Sequence, residues 1–124
     1  MIMLIAKAYL QLIRFNSYIV GSNFKGLHKR VRDCGVADKA VEDQTTQRVC
    51  YAIDMACIWY WKEVLCLQRS AATACLLKSY GVPATLVIGA QQMPFRAHAW
   101  VEVDGKVVND KAYVLDMYLV LERC

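Results

Sequence analysis

The stretch that decides the fold spans residues 65–110 and reads LCLQRSAATACLLKSYGVPATLVIGAQQMPFRAHAWVEVDGKVVND. Its first part has apolar residues at helical spacing, which predicts a helix over residues 65–80. Gly81 and Pro83 end that helix, because glycine readily takes the left-handed conformation after a helix and proline cannot continue one. The rest has the residue pattern of short strands, predicted over residues 84–90, 97–103 and 106–110, with a loop over 91–96.

The sequence before this stretch is helical in pattern. Apolar residues recur at helical spacing over residues 1–18 and 39–60, and Asp38 is a candidate N-cap for the second helix. After it, residues 114–121 predict one more strand. Helices followed by strands are typical of the α+β class, so we expect N-terminal helices packed on a small antiparallel sheet. The length predicts a single domain, 1–124.

Composition narrows the possible partners. Hydrophobic residues make up 57% of the chain and the mean hydropathy is +0.25, so we expect an apolar groove or partner face. The net charge of +4 comes without a dense basic block, which argues against nucleic-acid binding.

The longest apolar stretch, 1–15, is interrupted by Lys7, Gln11 and Arg14 and is too short to span a membrane. Its amphipathic pattern also fits a secondary role at a membrane surface.

The cysteines predict free thiols. Their spacing contains no CxxC pair and no CxxC…HxxxH pattern, so we expect neither a zinc site nor another metal or cofactor. The chain begins without a signal-peptide pattern, which predicts a reducing, cytoplasmic compartment. The six cysteines are Cys34, Cys50, Cys57, Cys66, Cys75 and Cys124.

Helix position distinguishes one of these cysteines. A cysteine acts as a nucleophile in its thiolate form, and a helix N-terminus or a nearby histidine favours that form. Cys66 lies at the start of the helix predicted over residues 65–80. The others lie in helix interiors, in a loop or at the end of the sequence: Cys50, Cys57, Cys75, Cys34 and Cys124. We therefore predict Cys66 as the nucleophile.

The chain has two histidines, and one suits the role of base. His28 lies in the basic segment 27–33, where neighbouring cations disfavour an imidazolium and we expect no orienting carboxylate. His98 opens a predicted strand with acidic residues nearby. The acids that could orient it are Glu102, Asp104, Asp110 and Asp116, and Asn109 is an amide alternative.

Two hairpin registers give different partners for His98. A three-residue loop with Gly105 in a bulge pairs Glu102 with Lys106 and places His98 opposite Asp110. A two-residue turn moves Asp110 to the other face of the sheet. We expect the bulged register and therefore predict Asp110 as the orienting acid, with Asn109 pointing away.

The oxyanion donors are less defined. The backbone N–H of Cys66 is one candidate because it lies at a helix start. A second could come from the segment 60–65, including the Trp61 indole, although the aromatic cluster that contains Trp61 also suits plain packing.

An ordered set of motifs resembles one family, the transglutaminase-like leader peptidases of lasso-peptide biosynthesis, over residues 46–122. The motifs are Cys66-Leu67-Gln68-Arg69-Ser70, Leu76-Leu77, Tyr80-Gly81, Leu86-Val87-Ile88-Gly89, Pro94-Phe95-Arg96-Ala97-His98-Ala99-Trp100-Val101-Glu102 and Asp104-Gly105. The resemblance implies a papain/transglutaminase-like fold and a cysteine endopeptidase that removes the leader from a ribosomally made precursor. The family's catalytic Cys, His and Asp correspond to Cys66, His98 and Asp110.

The resemblance also implies partners. Residues 46–122 would form the catalytic core and 1–36 a helical N-terminal segment. No leader-binding module is apparent before residue 46, so we expect a split system in which a separate leader-recognition protein delivers the precursor leader peptide. An ATP-dependent lasso cyclase would act on the product. The same residues could instead serve a transglutaminase-like acyl transfer, or the fold could be a non-catalytic peptide-binding module.

Overall fold

The computed structural model describes residues 1–42, 44–92, 95–111 and 113–124. Within these ranges it contains five helices and four strands, which confirms the predicted α+β class. In chain order they are α1 (Ile2–Val20), α2 (Phe24–Asp33), α3 (Thr45–Trp59), α4 (Cys66–Ser79), β1 (Ala84–Gln92), β2 (Phe95–Val103), β3 (Lys106–Val107), α5 (Val114–Met117) and β4 (Leu119–Arg123). No helix among the described residues is long and apolar enough to cross a membrane.

The N-terminal helices bury one face each. On α1, Ala8, Leu12 and Phe15 are fully buried at the three- and four-residue spacing of a single helix face. On α2, Leu27 and Val31 are buried one turn apart. The basic residues of the segment 27–33 therefore lie on a helix that packs against the core.

The central helix α4 is buried along most of its length and ends as the sequence predicts. Gly81 has a positive φ of 87°. Its N–H donates to the Lys78 carbonyl at 3.0 Å, and the Val82 N–H donates to the Leu77 carbonyl at 3.1 Å. This pair of bonds is a Schellman motif, which satisfies carbonyls that the helix end would otherwise leave free.

The sheet is antiparallel, with the strand order β3-β2-β1-β4. One face, which includes Leu86, Ala99 and Val101, joins the helices in the main core. The opposite face carries a smaller cluster around Val87 and Trp100. Because successive side chains of a strand point to opposite faces, His98 shares the face of Trp100.

The helix predicted over 39–60 and the strand predicted over 114–121 begin later in the structure. The helix predicted over residues 39–60 begins only at Thr45, and Asp38 caps no helix. The segment before it lies against the end of α4, where the Ala37 N–H donates to the Lys78 carbonyl at 2.8 Å. The strand predicted over 114–121 is wrong in its first half, which forms α5 before β4 begins at Leu119.

β1 and β2 are longer than predicted, and β3 is shorter. β1 continues to Gln92 and β2 begins at Phe95, so most of the predicted loop 91–96 is strand, and Pro94 lies outside the described residues. β3 contains only two residues instead of the predicted 106–110.

The predicted bulged register is wrong. Val103 pairs with Lys106, and Glu102 pairs with Val107. Asp104 and Gly105 therefore form a two-residue turn between the strands. Both residues take positive φ, at 52° and 75°. Two left-handed residues match the twist of the flanking strands, and an Asp-Gly pair adopts this turn readily.

Candidate active site

Cys66 is the first residue of α4, as the sequence predicts. The N-cap residue, Leu65, makes no side-chain hydrogen bond to the first turn. The first N–H groups of any helix have no intrahelical acceptor, and here the N-cap side chain provides none either. These N–H groups give this end of the helix a partial positive charge. The Cys66 side chain is partly buried against the core. Its position suits a thiolate and an oxyanion that develops beside it.

His98 and Asp110 form a direct hydrogen bond between the imidazole Nε2 and the carboxylate Oδ2. The other carboxylate oxygen accepts the backbone N–H of Lys111 at 2.7 Å. Burial alone would raise the pKa of Asp110, but the His98 bond, the Lys111 N–H and the nearby Arg69 charge together lower it. An ionised Asp110 fixes Nε2 of His98 as the protonated nitrogen and leaves Nδ1 for a reacting group.

The contact forms even though the predicted register does not. Past Val107, the Val108 N–H still donates to the Val101 carbonyl at 3.0 Å. The Val101 N–H, however, donates to the side-chain Oδ1 of Asn109 at 2.7 Å. The Asn109 amide thus takes the place that a backbone carbonyl would hold in a continuing strand. The chain leaves the ladder there, and Asp110 lies beside His98.

Ser70 and Asn109 connect this edge of β2 to α4. The Asn109 Nδ2 donates to the Ser70 Oγ at 3.0 Å, and the Ser70 hydroxyl donates to the Ala99 carbonyl at 3.1 Å. In the sequence, Asn109 stands out only as an alternative partner for His98, and Ser70 only as part of the motif that begins at Cys66. The available signal was the spacing of Ser70, four residues after Cys66 and hence on the same helix face.

Arg69 also binds the segment that carries Asn109 and Asp110. Its guanidinium donates to the Asn109 carbonyl at 3.3 Å and pairs with Asp54 of α3 at 2.6 Å. The turn that carries Asp110 is therefore tied to both α3 and α4.

His98 and Asp110 come together at the edge of β2, and Cys66 begins the helix that Ser70 links to this edge. Ser70 reaches the carbonyl of Ala99, the residue after His98, and Cys66 lies one helical turn before Ser70. Within the described part of the chain, His98 contacts Asp110 directly, and no hydrogen bond joins the Cys66 Sγ to His98. Cys66 approaches from the face that carries α4, and His98 belongs to the face of Trp100.

Two aromatic rings, those of Tyr118 and Trp100, pack near the imidazole of His98. His98 stacks on Tyr118 with ring centroids 5.2 Å apart, and Trp100 lies 6.1 Å from both rings. A Cβ at Gly89 would lie 2.7 Å from the Trp100 ring and 2.8 Å from Tyr118. Glycine at this position therefore allows the three rings to pack.

The other candidate acids have different partners or positions. Glu102 is buried, accepts the Trp100 indole N–H at 3.1 Å and pairs with Arg123 at 3.6 Å, so its predicted pairing with Lys106 is wrong. Asp104 forms the turn, and Asp116 lies in α5.

Trp61 and His28 are two other residues that the sequence singled out. Trp61, a candidate oxyanion donor, is 66% exposed and stacks on Tyr60. The expectation that His28 has no carboxylate partner is wrong, because its Nδ1 lies 3.0 Å from Glu122 Oε2. That contact depends on the packing of α2 near β4, which sequence neighbours do not reveal.

The remaining thiols are mostly held in the protonated form. Burial raises the pKa of Cys50 to about 11, and the Asp54 carboxylate adds to the rise. Burial also raises the pKa of Cys57, Cys75 and Cys124. The thiols of Cys34 and Cys75 lie in contact, 2.7 Å apart.

A family model described as the transglutaminase-like superfamily matches residues 13–123. The chain belongs to the transglutaminase-like superfamily. A curated relative, the Microcin J25-processing protein McjB of Escherichia coli, is 43% identical over 56 residues. That alignment covers 45% of this chain and 27% of the relative, so the chain matches little more than a quarter of the relative's length. No solved structure shows significant similarity to the chain.

Proposed function

We propose that the protein is a cysteine endopeptidase that removes the leader peptide from a lasso-peptide precursor. The observation that carries this proposal is the His98–Asp110 hydrogen bond at the β2 edge, linked through Ser70 to the helix that begins at Cys66. The superfamily membership supports the same assignment, and so does the name of the relative, a microcin-processing protein.

In this reaction the Cys66 thiol gives its proton to Nδ1 of His98 and its sulfur attacks the scissile carbonyl carbon. His98 then protonates the leaving amine, and the carbonyl–nitrogen bond breaks to give a thioester on Cys66. A water molecule loses a proton to His98 and attacks the thioester, which releases the leader as a free acid and restores the thiol. Asp110 holds the imidazole tautomer throughout. The free N–H groups at the start of α4 stabilise the oxyanion.

The proposed partners follow from this reaction. A separate recognition protein would present the precursor leader, and an ATP-dependent cyclase would use the amine that cleavage exposes. The proposal places the enzyme in the cytoplasm, where the precursor is made, and assigns catalysis to residues 46–122. The exposed basic residues of α2 give an acidic partner a docking surface.

The test is cleavage of a leader-bearing precursor in the presence of the recognition protein, followed by mass spectrometry. Cys66→Ala and His98→Ala should each abolish cleavage, and Asp110→Ala should reduce it by about two orders of magnitude or more while leaving a remnant. Cys57→Ala is the matched control, because it removes a partly buried thiol from α3 and should cleave normally. Full cleavage by Cys66→Ala would refute the proposal.

Acyl transfer is a second candidate, and membership of the transglutaminase-like superfamily favours it. The same three residues would form the thioester, and an amine would replace water in the second step. The product mass distinguishes the two reactions: a free acid on the leader means hydrolysis, whereas an added amine means transfer.

A further inference from the structure

Three side chains able to bind a metal converge outside the candidate active site. They are His28 of α2, Glu122 of β4 and Cys124, which directly follows β4. One ligand atom from each lies within 4.8 Å of the others. The closest pair is the His28 Nδ1 and the Glu122 Oε2, 3.0 Å apart.

A β-bulge aims two of these side chains at the third. Gly89 of β1 pairs with Val120, and the preceding residue Ile88 pairs with Glu122, so Leu121 is an extra residue in β4. Val120 packs in the cluster on the face of Trp100, whereas Cys124 packs with the helix-facing core. In a regular strand without a bulge, Glu122 would share the face of Val120, because the two residues are two positions apart. Bulges often re-aim side chains at functional sites.

The donor set identifies the class of ion. An imidazole nitrogen, a carboxylate oxygen and a thiolate sulfur are ligands that Zn²⁺ takes together, whereas Mg²⁺ and Ca²⁺ prefer oxygen. The side chain of His28 is 16% exposed, and Cys124 is partly buried. Among the described residues, the Cys124 thiol has no hydrogen-bond partner. Three protein ligands leave a fourth tetrahedral position for water.

We propose that His28, Glu122 and Cys124 form a Zn²⁺ site that fastens α2 to β4. On binding, the Cys124 S–H bond breaks, its proton goes to solvent, and the sulfur binds the ion as thiolate. The ion replaces the direct contact between His28 and Glu122. The thiolate, the carboxylate and Zn²⁺ sum to zero charge, so the site is neutral when filled.

The cysteine and histidine spacings argue against zinc, but such spacings reveal only sites whose ligands lie close together in the chain. His28 and Cys124 are almost a whole chain apart, and only the packing of α2 against the sheet brings them together. The site is independent of the proposed peptidase, because none of its ligands belongs to the Cys66, His98 and Asp110 set.

The test uses Co²⁺ as a spectroscopic substitute for Zn²⁺ on the full chain carrying Cys66→Ala, which removes the candidate nucleophile as a competing ligand. We expect one bound Co²⁺ per chain and a thiolate-to-cobalt charge-transfer band in the near ultraviolet. Adding Cys124→Ser should abolish the band, and Glu122→Gln should weaken binding at least tenfold. Cys57→Ser, on α3, is the matched control and should leave the band unchanged.

Zn²⁺ should displace the Co²⁺ and raise the thermal unfolding temperature of the parent but not of the Cys124→Ser protein. Circular dichroism of each variant checks its fold. If Cys124→Ser does not fold, the Glu122→Gln titration decides, since that change keeps the shape of the side chain. The absence of a charge-transfer band in the parent, its persistence in folded Cys124→Ser, or unchanged affinity in Glu122→Gln would each overturn the proposal.

Discussion

Asp110 and Asn109 are neighbours in the chain, yet their side chains serve different partners. Asp110 binds His98, while Asn109 binds the backbone of Val101 and the hydroxyl of Ser70. The amide can do this because it has both an acceptor and a donor, whereas an ionised carboxylate has only acceptors. The two adjacent residues thus divide the roles of orienting the imidazole and holding the chain in place.

The lowered pKa of Asp110 predicts a pH-dependent loss of stability. A carboxyl whose pKa is lower in the folded state stabilises that state above its ordinary pKa, and the contribution disappears as pH falls through the lowered value. We expect Asp110→Asn to be less stable than the parent at neutral pH, with the difference shrinking below about pH 4. Urea unfolding at several pH values measures it. A difference that grows on acidification would contradict the assignment.

The thiols should differ sharply in reactivity. Because burial raises the pKa of Cys50, Cys57, Cys75 and Cys124, little of each is thiolate at pH 6 to 7. We expect iodoacetamide to label Cys66 before these four, as peptide mapping by mass spectrometry would show.

His98 provides the control for that experiment. His98→Ala should slow the labelling of Cys66 by roughly tenfold or more, because each unit of thiol pKa changes the thiolate fraction tenfold. The rates at the other four thiols should stay the same. Equal rates at all five cysteines in the parent would favour a non-catalytic binding module.

The sequence predicted the His98–Asp110 contact for a reason that the structure corrects. Asp-Gly suits both a two-residue turn and a bulged three-residue loop, so local chemistry does not choose between them. The choice depends on whether Asp104 adopts a positive φ, as it does here. The substitution of the Asn109 amide for a backbone carbonyl depends on Ser70 of a distant helix, and no local pattern indicates it.

At the scale of the elements, the end of β3 and the first turns of α4 form one hydrogen-bonded unit. Ser70 on the helix, Asn109 after the strand and the β2 backbone are linked in series. Such a unit fixes the helix that begins at Cys66 relative to the strand that carries His98. Its members should therefore be energetically coupled.

Asn109→Ala tests that coupling. The change leaves the Val101 N–H without its acceptor and removes a partner of Ser70, so we expect a loss of about 1–3 kcal/mol in the free energy of unfolding. Ser70→Ala and the double variant complete a cycle, measured by chemical denaturation. We expect a coupling of about 0.5 kcal/mol or more. Strict additivity would show that the two side chains act independently.

Strong local signals predicted the elements well where they were present. The helix expected over 65–80 forms as Cys66–Ser79, because Gly81 provides an unambiguous stop. The helix expected from residue 39 begins later, because the preceding segment instead binds the end of α4. Tertiary hydrogen bonds of this kind override a local capping signal such as Asp38.

At the scale of the whole molecule, charge is distributed unevenly on α2. Lys29 and Arg32 are exposed, Arg30 is half-buried, and the first turn of the helix contains no acidic residue. A helix with this face suits an acidic partner, whose association it would accelerate at low salt. The sequence placed the basic residues in the segment 27–33, and the structure shows that this segment lies in α2 and which of its cations are exposed.

Replacing Lys29, Arg30 and Arg32 by Glu should weaken binding to the proposed leader-recognition protein by at least tenfold, because three attractions become repulsions. The salt dependence of the affinity should also fall. The matched control replaces Arg48, Lys62 and Lys106 by Glu, which changes the net charge equally on other elements. Calorimetric titration measures both. Equal affinities for the two triple variants would exclude α2 as the docking surface.

The packing of Trp100 has an optical consequence. Its ring is fully buried beside the imidazole of His98, and the other two tryptophans, Trp59 and Trp61, are largely exposed. Replacing the exposed pair by Phe would leave Trp100 as the single tryptophan, with a blue-shifted emission that arises 6.1 Å from the His98 ring. Protonation of that imidazole quenches a neighbouring indole, so the emission intensity would report the charge of the histidine directly, without any added label or substrate.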